Sequence, residues 1–241
     1  MKWVKPEIDS GQVRALARLH NIDLLTASIL TRRGFTDSER IAYFLEEDER
    51  FLRNPFLFPQ MEAAVERVLA AAEEEEKVLV FGDRDTDGIT ATVLMLETLR
   101  MAGLQAEWRV PLGNEDYGLN PEVLKAHAAE DFTLVITVDC GISNYDEIEL
   151  ANSLGMDVLI FDHHVPRENQ IPNALAIVNP RMPDTYPFTG LCGVAVVSKF
   201  QWALTLAQTD IYGEEFCLIL AEQAGAASSD KEDEQLVIRA L

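Results

Sequence analysis

Asp83-Arg84-Asp85-Thr86-Asp87-Gly88, Asp139-Cys140-Gly141-Ile142-Ser143 and Asp162-His163-His164 are the stretches of this chain best equipped for chemistry. They gather carboxylates and two of its four histidines. Carboxylate oxygen together with imidazole suits Mn²⁺, Mg²⁺ or Zn²⁺, which points to metal-dependent hydrolysis. If the backbone stays extended, Asp83, Asp85 and Asp87 face one side. Three such charges repel one another unless a cation neutralises them or water surrounds them. Gly88 then lets the chain turn into a helix. Asp162 is placed to accept the second N–H of an imidazole, the usual support of a metal-bound histidine. The other histidine can meet a substrate phosphate as donor or acid. Asp139 fits a bridging carboxylate. His20 and His127 read as surface or packing residues.

Three rival readings of the acidic loop are weaker. An EF-hand needs Glu six residues after the glycine, and that residue is Leu94. A dehalogenase-type Asp nucleophile also uses D-x-D after a strand, but leaves Asp139 and Asp162-His163-His164 without a role. A solvated acidic turn is the third.

The elements that must position these residues are apolar, strand-like runs. Val78-Leu79-Val80-Phe81 precedes the first stretch, Leu134–Val138 the second and Val158–Phe161 the third. In an open parallel sheet, sites form at the carboxyl ends of the strands. Between the strands, helices are expected near 89–102, from Asn120-Pro121 to about 129, from Asn144 to Gly155, and over 190–207. Further strands are expected near 105–110 and 175–178. The alternation predicts an α/β fold, a mainly parallel sheet with helices on both faces. A helical N-terminal segment, 1–76, precedes it and is expected to pack on a core domain, 77–241. Thr36-Asp37-Ser38-Glu39 is a capping-box pattern. Leu24, Leu25, Ile29 and Leu30 recur at helical spacing, and Val65, Val68, Leu69 and Ala72 share a face of a helix over 61–76.

Composition narrows the class. The chain has 241 residues, 48% of them hydrophobic, enough for a proper core. No run approaches the roughly 18 apolar residues of a membrane span, and no signal peptide is evident. Three cysteines without paired spacing argue against a disulfide framework and for a reducing cytoplasm. The net charge of −21 is the wrong sign for gripping phosphates. The acid is concentrated at 46–49, 73–76 and 230–234, read as solvated faces or as docking sites for a basic partner.

Together the three stretches resemble the DHH phosphoesterase superfamily, named for a triplet matched by Asp162-His163-His164. Ala27-Ser28-Ile29-Leu30-x-x-Arg33-Gly34, Asn179-Pro180-Arg181 and Gly190-Leu191-Cys192-Gly193-Val194-Ala195 resemble in particular the RecJ-type 5′→3′ exonucleases of bacteria, which act on single-stranded DNA. The resemblance covers about residues 20–205. It implies two divalent ions, Mn²⁺ or Mg²⁺, that activate water against a phosphodiester. It implies Asp85, Asp87, Asp139 and His163 as ligands, Asp83 as a supporting or metal-linked carboxylate of the catalytic set, and Asp162 as an orienting group. His164 would contact the scissile phosphate, and Gly193 would sit by a substrate phosphate at a helix N-terminus.

Where some relatives carry a histidine, this chain has Phe81. The segment 218–225, where such proteins supply another metal-binding Asp, has none; Asp210 and Asp230 are nearest but differ in context. The family's second, nucleic-acid-binding domain is expected to be absent. The expected function is exonucleolytic hydrolysis in DNA repair and recombination, with weak hold on single-stranded DNA, a possible basic repair-protein partner and no membrane association. The alternatives are a phosphodiesterase for oligonucleotides or cyclic dinucleotides, and a non-catalytic scaffold with a degenerate metal site.

Overall fold

A computed structural model describes the protein over residues 7–45, 52–113, 115, 117–167, 170–183, 186–213, 215–219 and 235–239. The acidic blocks at 46–49 and 230–234, Asp230, and residues 220–225 lie outside these. The chain forms two compact units, residues 1–53 and 54–241.

The first unit is helical. Asp9 and Asp23 accept backbone N–H bonds at the starts of α1 (Ser10–Leu19) and α2 (Leu24–Arg32). Asp37 does the same for α3 (Ser38–Leu45) by accepting from Arg40 N–H at 2.8 Å. Val13, Leu16, Ala17, Ala27, Leu30 and Ile41 form its core. Leu24, Leu25 and Ile29 are exposed, so of the four apolar α2 residues at helical spacing only Leu30 is buried.

The second unit is built on five parallel strands: β1 (Lys77–Gly82), β2 (Ala106–Arg109), β3 (Phe132–Val138), β4 (Asp157–Phe161) and β5 (Ala176–Val178). Their order is β2-β1-β3-β4-β5. The chain runs from β1 outward to β2, then crosses back to β3. The strand order therefore reverses between β1 and β3, the place where open α/β sheets form their crevice.

Helices cover both faces. On one, α4 (Met61–Glu73), α5 (Thr86–Met101) and α8 (Gly193–Ala207) join Val78, Val80, Leu134, Ile136, Val138, Leu159 and Phe161 in the larger core. On the other, α6 (Pro121–Ala128) and α7 (Tyr145–Ser153) cover Leu79, Phe81, Val135, Val158 and Ile160. Central strands buried on both faces are why their sequences are apolar runs rather than alternating ones.

α4 belongs to this sheet unit. Gln60, at its N-terminal boundary, accepts the Ile177 N–H of edge strand β5 on its Oε1 at 2.6 Å. β6 (Glu215–Ile219) and β7 (Gln235–Arg239) form a separate antiparallel pair that the sequence pattern did not predict. Other boundaries shift from expectation by a few residues, as helix and strand ends usually do.

The acidic run 73–76 is not uniformly a solvated face. Glu73, Glu74 and Glu75 are exposed, but Glu76 takes a two-pronged bond from Arg67, at 2.9 and 2.7 Å, and a hydrogen bond from Thr133. Arg67 Nε also reaches Asp157 at 2.6 Å. The cluster ties α4 to the starts of β1, β3 and β4. Arg67 hydrogen bonding holds the Glu76 carboxyl below the usual glutamate range, against the opposing effect of burial. That contribution to stability is present above about pH 4.5 and is lost as pH falls through the lower folded value. Arg67→Met leaves Glu76 half-buried without its cation and is expected to lower stability by about 2 kcal/mol, allowing for partial solvent access. The loss should shrink in acid, as read by urea denaturation at neutral pH and near pH 3.

Candidate metal centre

The strand register sets the site. Gly82 lies opposite Val138, Val138 opposite Phe161, and Phe161 opposite Val178. The residues immediately after this row are Asp83, Asp139, Asp162 and Asn179, and all four are buried. Two bonds continue the ladder through them, Asp139 N–H to Phe161 O at 2.9 Å and Asp162 N–H to Val178 O at 3.2 Å. Asp139 turns sharply at φ +58, a left-handed conformation that Asp tolerates better than most residues.

The acidic loop is not extended throughout. Asp85 caps α5, accepting Gly88 N–H at 2.9 Å, and the helix starts at Thr86. Asp83 accepts the Arg84 N–H at 2.7 Å. Asp83, Asp85 and Asp139 bring one carboxylate oxygen each within 4.8 Å of one another. Asp87 has left that side because the backbone is already helical. Its two oxygens accept Gly193 N–H at 2.7 Å and Val194 N–H at 2.8 Å, at the N-terminus of α8. The Gly193 amide therefore meets a carboxylate of its own chain. A β-carbon on Gly193 would lie 2.5 Å from Asp139 Oδ1, so glycine is what lets α8 approach. Gly88 likewise serves close packing rather than a turn. It is helical, and a β-carbon there would lie 2.6 Å from the Asp83 carbonyl oxygen.

Asp139 also groups with His163 and His164. His163 Nε2 is 3.1 Å from Asp139 Oδ1 and 3.6 Å from Asp87 Oδ2. The first contact lacks hydrogen-bond alignment, so Oδ1 is buried and accepts no hydrogen bond. A carboxylate oxygen and an imidazole nitrogen this close, but poorly aligned for a hydrogen bond, suit a common electrophile. Burial, reinforced by the charges of Asp87 and Asp85, pushes the Asp139 carboxyl up to about 7. The donor set thus fits a divalent cation: hard oxygens, one imidazole, and an uncompensated buried charge.

Asp162 supports His164 rather than His163. Its Oδ1 takes the His163 and His164 N–H groups at 2.7 and 3.1 Å and contacts His164 Nδ1 at 2.7 Å, while Oδ2 takes Ile142 N–H at 3.0 Å. These bonds keep Asp162 below the usual carboxylate range, although burial opposes them. The same contact to Asp162 raises His164. His127 contacts the Val123 carbonyl and packs edge-on to Phe132, in keeping with a packing role.

Tyr117 bears on the site in a way its sequence setting did not suggest, and Asn179, read in the sequence only within Asn179-Pro180-Arg181, also reaches it. Tyr117 donates to the Asp139 carbonyl at 3.0 Å and lies 3.4 Å from His164 Nδ1. Asn179 donates to the His164 carbonyl at 2.9 Å. Tyr117 sits in an irregular loop with no periodicity to reveal it. Asn179 could have been found as the fourth residue to follow an apolar strand.

The model of the DHH family, N-terminal domain, matches residues 77–222. The single-stranded-DNA-specific exonuclease RecJ of Bacillus subtilis is 37% identical over 206 residues, 85% of this chain and 26% of that protein. RecJ of Escherichia coli is 38% identical over 165 residues, 66% of this chain and 28% of that protein. The chain thus spans about a quarter of the length of these relatives. Among solved structures, RecJ of Thermus thermophilus in complex with Mn²⁺ superposes with a TM-score of 0.62 at 25% identity, over 82% of this chain and 27% of that one. An exonuclease RecJ bound to manganese gives 0.56 at 29% identity, over 61% and 37%. With its family model matched from β1 through α8, this chain belongs to the DHH family.

Proposed function

We propose that this chain acts as a metal-dependent phosphodiesterase that degrades single-stranded DNA from a 5′ end. The observation that carries the reading is Asp139, a buried carboxylate with an unpartnered oxygen where two groups of metal-binding side chains meet. The names of the relatives supply the substrate class. Participation in DNA repair and recombination goes with that substrate. The unpaired Cys140 and Cys192 suit a reducing cytoplasm. The acidic surface suits a basic repair-protein partner.

Asp83, Asp85, Asp139 and His163 would hold two Mn²⁺ or Mg²⁺ ions. The ions supply an activated water and neutralise phosphate charge. This assignment moves Asp83 into the ligand set and Asp87 out of it, because Asp83 groups with Asp85 and Asp139 while Asp87 lies outside both groups and turns to the start of α8. Asp162 fixes the His164 ring and favours its charged form, which leaves Nε2 as a donor for a phosphate oxygen. Tyr117 buttresses the Asp139 carbonyl and the His164 ring. A second reading, action on short oligonucleotides, is favoured by the scarcity of cations on this acidic chain.

Asp139→Asn and Asp85→Asn should each abolish high-affinity Mn²⁺ binding in calorimetry. Asn at 85 can still cap α5, so the fold persists. The metal-free Asp139→Asn protein should melt higher than wild type, because a desolvated charge is gone. Wild-type Mn²⁺ affinity in both variants sinks the ligand set.

His163→Ala should weaken Mn²⁺ binding by roughly 10-fold or more. His164→Ala should retain the metal and lose turnover on 5′-labelled strands, with 3′-labelled strands as the test of polarity. Asp87→Asn should retain metal but lower the melting temperature, since α8 loses an anionic partner at its N-terminus. The opposite outcome at Asp87, metal lost and stability kept, would return it to the ligands.

A further inference from the structure

The arginines of the sheet unit divide by position. Arg67, on α4, pairs with Glu76 and Asp157; Arg100, on α5, with Glu97; Arg109, on β2, with Glu115. Among the described side chains of residues 54–241, the other three arginines are Arg84, Arg167 and Arg181, and none has a carboxylate partner within 4.0 Å among the described residues. All three are exposed. All three lie in segments that leave the carboxyl edge of the sheet, after β1, β4 and β5.

Their placement follows from the site. Arg84 stands between Asp83 and Asp85, yet its guanidinium turns to neutral acceptors, the Gly113 and Glu115 carbonyls at 3.0 and 3.4 Å. One arm of the fork is anchored, which leaves the other N–H groups as donors. Arg181 has its backbone N–H held by Asn179 Oδ1 at 2.8 Å, and the same Asn179 clasps the His164 carbonyl. Arg167 follows His164 by three residues. In a chain with 41 acidic and 20 basic residues, cations without carboxylate partners at this edge run against the composition. Neutralising the neighbouring aspartates would call for ion pairs from these arginines, and none of the three makes one within 4.0 Å among the described residues.

We infer that Arg84, Arg167 and Arg181 form a cationic rim that receives the phosphodiesters on either side of the scissile one in a single strand. The inference rests on the phosphodiesterase reading and adds to it the residues that grip the strand. Guanidinium forks match phosphate oxygens in geometry and charge. Three cations also limit the grip to a few phosphates, so binding is weak and strongly dependent on salt.

The test is equilibrium binding of a short phosphorothioate-linked oligothymidylate, charged but slow to hydrolyse, by anisotropy in Mn²⁺ across a salt series. For single strands the slope of log affinity against log salt is about −0.7 per neutralised phosphate, so wild type should give a slope of about −2. Arg84→Gln, Arg167→Gln and Arg181→Gln should each flatten it by about 0.7, and the triple variant should bind with almost no salt dependence. Arg84→Lys and Arg181→Lys should keep the slope. Arg100→Gln, on the outer face of α5, should leave it unchanged. Calorimetric Mn²⁺ affinity and melting temperature should stay at wild-type values, which separates loss of charge from a damaged loop.

An unchanged slope in all three glutamine variants, or no binding by wild type, overturns the rim. Mn²⁺-dependent hydrolysis that continues with an unchanged slope sinks the rim alone. A slope that responds as expected in a protein that hydrolyses no strand sinks the phosphodiesterase reading and leaves the rim standing.

Discussion

Placing three carboxylates and an amide side by side at one level of a parallel sheet is electrostatically unfavourable, and much of the second unit is arranged to tolerate it. The row is imposed by strand register: once β1, β3, β4 and β5 are aligned, Asp83, Asp139, Asp162 and Asn179 become neighbours. Each is handled differently. Asp162 is satisfied by three backbone N–H groups and an imidazole. Asn179 is neutral and links two loops. Asp83 takes one backbone bond. Asp139 keeps an oxygen without a donor, and its charge is the one the protein leaves for something else to balance.

The helices complete the arrangement. α5 begins on Asp85, and α8 begins on Asp87, so one six-residue stretch seats two helices that pack side by side over one face of the sheet. A carboxylate at a helix N-terminus is favourable in its own right. Here it also brings Gly193 against Asp139. Packing and site geometry are therefore not separable in this unit: the bonds that hold α8 also define the wall of the candidate metal centre.

Much of this was legible in the sequence. Apolar runs ending in acidic residues marked the strands, their order of appearance marked a parallel α/β sheet, and the three stretches marked the edge where the site lies. What could not be read was direction. Asp83, Asp85 and Asp87 look equivalent by spacing, and only the onset of helix at Thr86 sends Asp87 to α8. Asp162 precedes both histidines, and only the fold decides that His164 receives its side chain contact. Tyr117 was invisible because irregular loops have no period. The charge of the whole chain was a poor guide as well, since it averages over faces that meet different surroundings.

The bond between Gln60 and Ile177 bears on how this sheet can meet other chains. A strand at a sheet margin offers unpaired amides to any extended segment that drifts past. β5 is three residues long, and one of its amides is already occupied by a side chain from the start of α4. A visiting strand would have to evict Gln60 to add there. β2, at the opposite margin, has Trp108 exposed on a four-residue strand. Edge-to-edge growth of this sheet is therefore hindered at β5 and limited at β2 to a four-residue margin.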